Sequence, residues 1–196
     1  LQNYPITIQE IPALKDLANN IKIHDFKSIN IEDLLNREVI KSNPLLLNKN
    51  IKEKVVMITG AGGSIGSEIS IQALEIMPKK IILFDHSEYA LYKVFKKINK
   101  IKIEKEIKTE VISVLGSVVQ KKFLLDLCNI HKIDTIYHAA AYKHVSMLEK
   151  NITEGLRNNI LGTLYCAIAA SRSDVKNFVL VSTDKAVRPK SVMGFT

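Results

Sequence analysis

Apolar residues fall along the chain in short continuous runs, separated by stretches in which they recur at helical spacing. Val55-Val56-Met57-Ile58 is such a run and predicts a buried strand, followed by a glycine turn and then Ile65, Ile69 and Leu74 at helical intervals. Pro78-Lys79-Lys80 interrupts the pattern, and Ile81-Ile82-Leu83-Phe84 predicts a second buried strand ending at Asp85. Val111 to Leu115 reads as a third strand, and Phe123, Leu124, Leu127 and Ile130 mark an amphipathic helix after it. Thr135-Ile136-Tyr137-His138 is the fourth strand, a long helix spans Thr153 to Ser171, and Phe178 to Ser182 is the fifth strand. This alternation predicts an α/β fold, a doubly wound parallel sheet with right-handed crossovers and helices on both faces. Ligands of such sheets bind beyond the carboxyl ends of the strands. That rule gathers Gly60 to Gly66, Asp85, Ala139 to Lys143 and Ser182 to Lys185 around one crevice.

Residues 1–50 carry no nameable chemistry and read as an N-terminal helical arm and linker, with residues 51–196 as the main domain. Ile11-Pro12-Ala13-Leu14 with Leu17 suggests a short helix with proline near its start. Ile29 to Arg37 is a candidate docking segment, and Asn43-Pro44 with Asn48-Lys49-Asn50 marks a boundary before the first strand. The chain begins without methionine and stops just after a motif, so a fragment of a larger protein is expected, its C-terminal substrate part missing.

With 46% hydrophobic residues among 196, the chain has ample material for a core, and no stretch approaches the ~20 apolar residues of a membrane helix. Cys128 and Cys166 lie on apolar stretches without metal or redox spacing, which reads as buried thiols in a reducing compartment. No metal site is expected. The net charge of +8 comes largely from Lys93 to Lys108, where Ile98, Ile101 and Ile103 are interleaved. That reads as a solvated helix face rather than a nucleic-acid surface, because the residues that interleave the charges are mainly aliphatic rather than a series of aromatic ones.

The glycine turn carries the first chemistry. Gly60, Gly63 and Gly66 form a G-x-x-G-x-x-G dinucleotide fingerprint between a strand and a helix, the arrangement of a Rossmann-like domain. Glycine lets the chain turn sharply and a pyrophosphate approach the backbone, while the helix start at Ser64 and Ile65 turns free N–H groups toward the phosphates. Asp85 follows Gly66 by 19 residues, close to the ~20 expected of the acid that holds the adenosine ribose. A carboxylate there repels a 2′-phosphate, so NAD is favoured over NADP. The alternative is a surface turn aspartate. His86 and Ser87 adjoin it, and Ser87 with Glu88 is a candidate helix cap. Ser117 and Val118 end the third strand near the adenine position. Ala139, Ala140 and Ala141 either leave room for the cofactor or serve helix–strand packing. His138 reads as a hydrogen-bonded strand-end histidine rather than a catalyst.

With these motifs in place, the sequence resembles the extended short-chain dehydrogenase/reductase superfamily. Within it, the chain is similar to the membrane-anchored UDP-N-acetylglucosamine 4,6-dehydratases of bacterial glycan (bacillosamine-type) biosynthesis. The likeness rests on Thr-Gly-Ala-Gly-Gly-Ser-Ile-Gly-Ser-Glu at 59–68, Leu-Phe-Asp-His-Ser-Glu at 83–88 and His-Ala-Ala-Ala-Tyr-Lys-His-Val at 138–145. It continues in Asn-Asn-Ile-Leu-Gly-Thr at 158–163, Ser-Thr-Asp-Lys-Ala-Val at 182–187 and Val-Met-Gly at 192–194. Met193 stands where ordinary members carry the tyrosine of a Tyr-x-x-x-Lys pair, as in the large dehydratases of this group. Ser117 replaces an aspartate common in the superfamily, and Arg188 sits where asparagine is expected.

The resemblance implies an internal redox elimination with NAD. Carbon 4 of the sugar is oxidised, water is lost across carbons 5 and 6, and the hydride returns to carbon 6. It implies Asp184 as acid, Lys185 as base and Thr183 as the group that orients or relays the 4-hydroxyl proton, with Met193 beside them. Thr183 has strand-end packing as its alternative. Lys143 and His144 are implied substrate contacts. Asn159 belongs with the cofactor-side residues, tying backbone between strands four and five. Reference pKa values of about 3.9 for Asp and 10.4 for Lys give Asp⁻ and Lys⁺ in water, the wrong states for both tasks. A water-excluded pocket is therefore required; the alternative is an ordinary surface pair. The implied partners are a UDP-sugar and further copies of the chain, at the cytoplasmic face of the bacterial inner membrane, with no nucleic acid. A UDP-sugar 4-epimerase, a 5-inverting dehydratase and a non-catalytic dinucleotide-binding module remain open.

Overall fold

The computed structural model describes residues 43–196 and, before them, the backbone pairing of two short strands. These are β1 (Gln9–Glu10) and β2 (Lys27–Ser28), which pair antiparallel. The segments 11–17 and 29–37, read above as helix and docking arm, lie outside the described residues. The chain divides into two compact units, Leu1–Ser42 and Asn43–Thr196.

The second unit opens with a helix where the polar residues suggest a linker. Helix α1 (Pro44–Ile51) has proline in its first turn, and the Asn43 side chain accepts the Leu45 and Leu46 N–H groups. Ile51 at its end is buried in the core. Five strands follow: β3 (Val55–Thr59), β4 (Lys80–Asp85), β5 (Glu110–Leu115), β6 (Thr135–His138) and β7 (Asn177–Leu180). They form one parallel sheet in the order β5-β4-β3-β6-β7. The Rossmann-like expectation holds. Helices α2 (Ser64–Glu75), α3 (Glu88–Glu104) and α4 (Lys121–His131) make the first three crossovers.

Alternation along the central strands explains why they read as unbroken apolar runs. Val55 and Met57 of β3, with Ile82 and Phe84 of β4, join Leu124, Leu127 and Cys128 of α4 in one core. Val56 and Ile58, with Ile81 and Leu83, join Leu74 of α2 and Leu91, Val94 and Ile98 of α3 in the other. β3 and β4 thus bury both faces.

Helix positions depart from the periodic reading in three places. On α4 the buried stripe is Leu124, Leu127 and Cys128, whereas Ile130 is 74% exposed because two residues turn it about 200° away from Cys128. Ile103 likewise faces outward from α3 while Ile98 is buried. The long helix expected over 153–171 is interrupted: α5 (Val145–Leu148) and α6 (Ile152–Gly155) lead into a π-helical segment at Leu156–Leu161, and α7 (Gly162–Arg172) continues from it. The wider π turn leaves both Asn158 and Asn159 buried.

Asp134 anchors the amino ends of three strands. Its carboxylate accepts the Val55 N–H at 2.9 Å, and its carbonyl accepts from Lys176 and Asn177. Asp134→Ala leaves the Val55 N–H without that acceptor and is expected to lower unfolding free energy by about 1–3 kcal/mol, measured by urea denaturation.

Candidate functional site

The sheet changes direction of winding between β3 and β6, and the loops after these two strands part there. At this switch point a crevice opens. Gly60 adopts φ +66°, and a Cβ on it would lie 2.8 Å from the Ala139 and Ala140 backbone, so the two loops meet backbone to backbone. Gly66 sits so close beneath that a Cβ would reach within 2.0 Å of the Gly60 carbonyl. Gly63 is under little steric demand. The third tight position is instead Gly62, which the fingerprint spacing passes over and where a Cβ would meet Ala90 at 2.5 Å. Its only sequence signal was a second adjacent glycine.

One cavity, about 230 Å³, is lined by Gly60, Gly62, Asp85, Ser117, Val118 and the Ala139–Ala141 segment. Asp85 is buried at the end of β4. Its Oδ2 accepts the Gly62 N–H at 2.9 Å and its Oδ1 the Ser87 N–H at 2.8 Å. The carboxylate therefore fastens the glycine loop to β4, whatever further hydrogen bonds it accepts. Ser87 caps α3 through Ala90 N–H, as its position predicts. The His86 ring stands edge-on to Tyr142, centroids 6.0 Å apart, across this cavity. The Ser117 N–H is held by Gln120 Oε1 at 3.0 Å.

Tyr142 also borders a second cavity of about 500 Å³, lined by Ser64, Ile65, Lys143, His144, Met147 and Glu154 among others. Ile65, placed above on the helix's apolar stripe, is 54% exposed and faces this cavity instead. Among the described residues no side chain caps α2, and its first residues Ser64, Ile65 and Gly66 line the second cavity. The residues fit a dinucleotide: a glycine cradle, a helix start for phosphate and a buried carboxylate lie at one switch point.

Past β7 lies a separate cluster. Thr183 donates its hydroxyl to Asp184 Oδ1 at 3.0 Å and accepts the Lys185 N–H at 3.3 Å, starting a short 3₁₀ turn at Asp184–Ala186. The Thr183 hydroxyl first, and the Lys185 ammonium second, hold the Asp184 carboxyl below its ordinary range. Asp184 and Lys185 pair loosely at 3.8 Å and both are exposed, the geometry of an ordinary surface pair. Neither borders the two cavities. Helix α8 (Val192–Phe195) packs on the turn, with Met193 buried and Gly194 against the Lys185 carbonyl, where a Cβ would come within 2.5 Å. Arg188 takes φ +52°, a left-handed conformation that asparagine tolerates better. That gives its departure from the expected asparagine a physical cost.

Asn159 binds backbone on both sides: Oδ1 accepts the Tyr142 N–H at 2.8 Å and Nδ2 donates to the Tyr142 carbonyl at 3.0 Å.

Residues 56–196 match the family described as Polysaccharide biosynthesis protein. The chain belongs to that family. It is 38% identical over 192 residues to the capsular polysaccharide biosynthesis protein CapD of Staphylococcus aureus, covering 97% of this chain and 32% of that protein. It is 31% identical over 152 residues to the UDP-N-acetylglucosamine 4,6-dehydratase (inverting) of Campylobacter jejuni serotype O:2, covering 74% and 40%. The crystal structure of Pen from Bacillus thuringiensis superposes with a TM-score of 0.67 at 29% identity, over 74% of this chain and 44% of that one. The chain thus spans well under half the length of these relatives.

His138, at the end of β6, is 1% exposed and bonded on both ring nitrogens, to Thr59 Oγ1 at 2.8 Å and Thr163 Oγ1 at 3.0 Å. Burial lowers its pKa from 6.5 to about 4. Above pH 6.5 the ring is neutral in folded and unfolded chains alike. Between 6.5 and 4 only the unfolded chain takes the proton, so stability is lost as the pH drops through that window. By pH 5 the loss attributable to His138 is expected to be about 2 kcal/mol, and His138→Gln should remove it when unfolding free energies are compared at pH 7.5 and pH 5.

Proposed function

We propose that the longer protein containing this chain is an NAD-dependent UDP-N-acetylglucosamine 4,6-dehydratase. The observation that carries the reading is the Thr183-Asp184-Lys185 turn beside the buried Met193, past the carboxyl end of β7 in the sheet whose β3 and β6 ends form the glycine cradle. The family and the Campylobacter jejuni dehydratase relative support it.

Gly60, Gly62, Gly63, the α2 start at Ser64 and Ile65, and Asp85 would hold the cofactor, with Ser117 and Val118 near its adenine. NAD, when bound, supplies the acceptor for the hydride of carbon 4 and its donor to carbon 6. The chain's own residues handle the protons. A methionine at 193 has no proton to exchange, so the Thr183 hydroxyl orients the 4-hydroxyl and relays its proton to the Asp184 carboxylate, to which it is bonded. The ketone at carbon 4 acidifies the proton on carbon 5, which Lys185 takes while Asp184 protonates the departing 6-hydroxyl, and Lys185 gives its proton back to carbon 5 as the hydride reaches carbon 6. Both roles need the neutral forms, which burial favours and the mutual attraction of the pair opposes. The proposal therefore requires water to be excluded from Asp184 and Lys185 once the sugar is bound in the longer protein. Lys143 and His144 meet the substrate on the opposite wall. The proposal extends to anchoring of the longer protein at the cytoplasmic face of the membrane; among the described residues no helix is long and apolar enough to cross one.

Incubation of the full-length protein with UDP-N-acetylglucosamine should yield a 4-keto-6-deoxy product. Recovery of the 4-epimer would make it an epimerase, and bound NAD without any product a binding module. Asp184→Asn and Lys185→Met are each expected to lower turnover by at least about 10²-fold with NAD still bound; full turnover in both removes them from these roles. Asp85→Ser should weaken NAD binding by about tenfold and narrow its preference over NADP, read by calorimetric titration; an unchanged preference refutes the ribose contact.

A further inference from the structure

A carboxylate with no part in the proposed proton transfers joins the segment after β6 to helix α8. Glu149 caps the carboxyl end of α5, its N–H donating to the Val145 carbonyl at 3.0 Å. It follows within six residues of Lys143 and His144 on the wall of the second cavity. Its Oε1 accepts the Val192 N–H at 2.8 Å, across 43 residues of chain. Val192 is the first residue of α8. The Ser191 hydroxyl already caps that helix by accepting the Gly194 N–H at 3.2 Å, which leaves the Val192 N–H outside its reach. Glu149 supplies the acceptor for that first N–H, and its negative charge suits a helix start.

The far end of the same short helix has its own tie. Asn159 Nδ2, besides holding Tyr142, donates to Thr196 Oγ1 at 2.9 Å. Met193 thus lies between two side chains that both belong to the β6 side of the crevice. Gly194 transmits the position to the Lys185 carbonyl, against which it is packed without room for a Cβ.

We propose that Glu149 is a positioning residue, whose carboxylate holds the Met193-bearing helix, and through it the Asp184–Lys185 turn, in register with the Tyr142–His144 wall. It touches none of the reacting atoms. The kinetic part of this inference rests on the dehydratase reading; the tether itself does not.

The test uses the full-length protein with Glu149→Ala and Glu149→Gln, the second of which keeps an acceptor oxygen. Hydrogen–deuterium exchange of the peptide spanning 191–196 should quicken about tenfold or more in Glu149→Ala and stay near wild type in Glu149→Gln. In Glu149→Ala, kcat should fall about 10- to 100-fold while KM for the nucleotide sugar changes less than about threefold, because misplacement of a bound geometry acts on the reacting step. Glu149→Gln should recover most of the lost rate. Equal exchange in Glu149→Ala and wild type overturns the tether. Faster exchange with unchanged kcat, or a loss confined to thermal stability, overturns the positioning role. A wild type that turns over no nucleotide sugar sinks the dehydratase reading and with it the kinetic role, while the exchange comparison still decides the tether.

Discussion

The approach of the Gly60 turn to the Ala139–Ala140 backbone is the constraint on which the crevice depends. β3 and β6 are hydrogen-bonded neighbours whose chains leave the sheet toward opposite faces, so their loops meet only at their first residues. A left-handed residue without a Cβ on one side and small residues on the other satisfy that geometry. Everything that follows inherits its position from this contact. The start of α2 is aimed by it, Asp85 reaches Gly62 because of it, and the alanine segment lines both cavities.

Around that contact the polar groups serve as fasteners as much as chemistry. Asp85 binds two backbone N–H groups, His138 joins Thr59 to Thr163, and Asn159 clasps Tyr142 from both sides. Each bridges elements distant in sequence, and each is buried, so its hydrogen bonds are expensive to leave unmade. Rigidity of this kind is what a site needs if a cofactor and a sugar are to be held in a reactive geometry. The Asp184–Lys185 turn is the exception. It is open to water and its charges are those of an ordinary surface pair, so the proposed chemistry depends on enclosure that comes from outside the described residues.

Much of this organisation was legible from residue order alone. Runs of apolar residues in β3, β4 and β6 identify central strands, because a strand buried on both faces needs no polar alternation. The glycine spacing, the aspartate at the end of β4 and the Ser87 cap are local signals, decided by backbone sterics and hydrogen bonds within a few residues. They hold whatever surrounds them.

What residue order left open was decided by contacts between distant segments. Ile65 and Ile130 are as apolar as their buried neighbours, yet one borders a cavity and the other faces water, because exposure depends on which partner helix lies opposite. The π segment at 156–161 has no composition of its own; it persists where Asn159 finds Tyr142 and Thr196, two partners supplied only by the folded chain. Gly62 differs from Gly63 only in what stands beside it, the start of α3. Periodicity reports how a residue is oriented about its own helix or strand, whereas burial and partnership are properties of pairs of elements, and those pairs exist only once the sheet has closed.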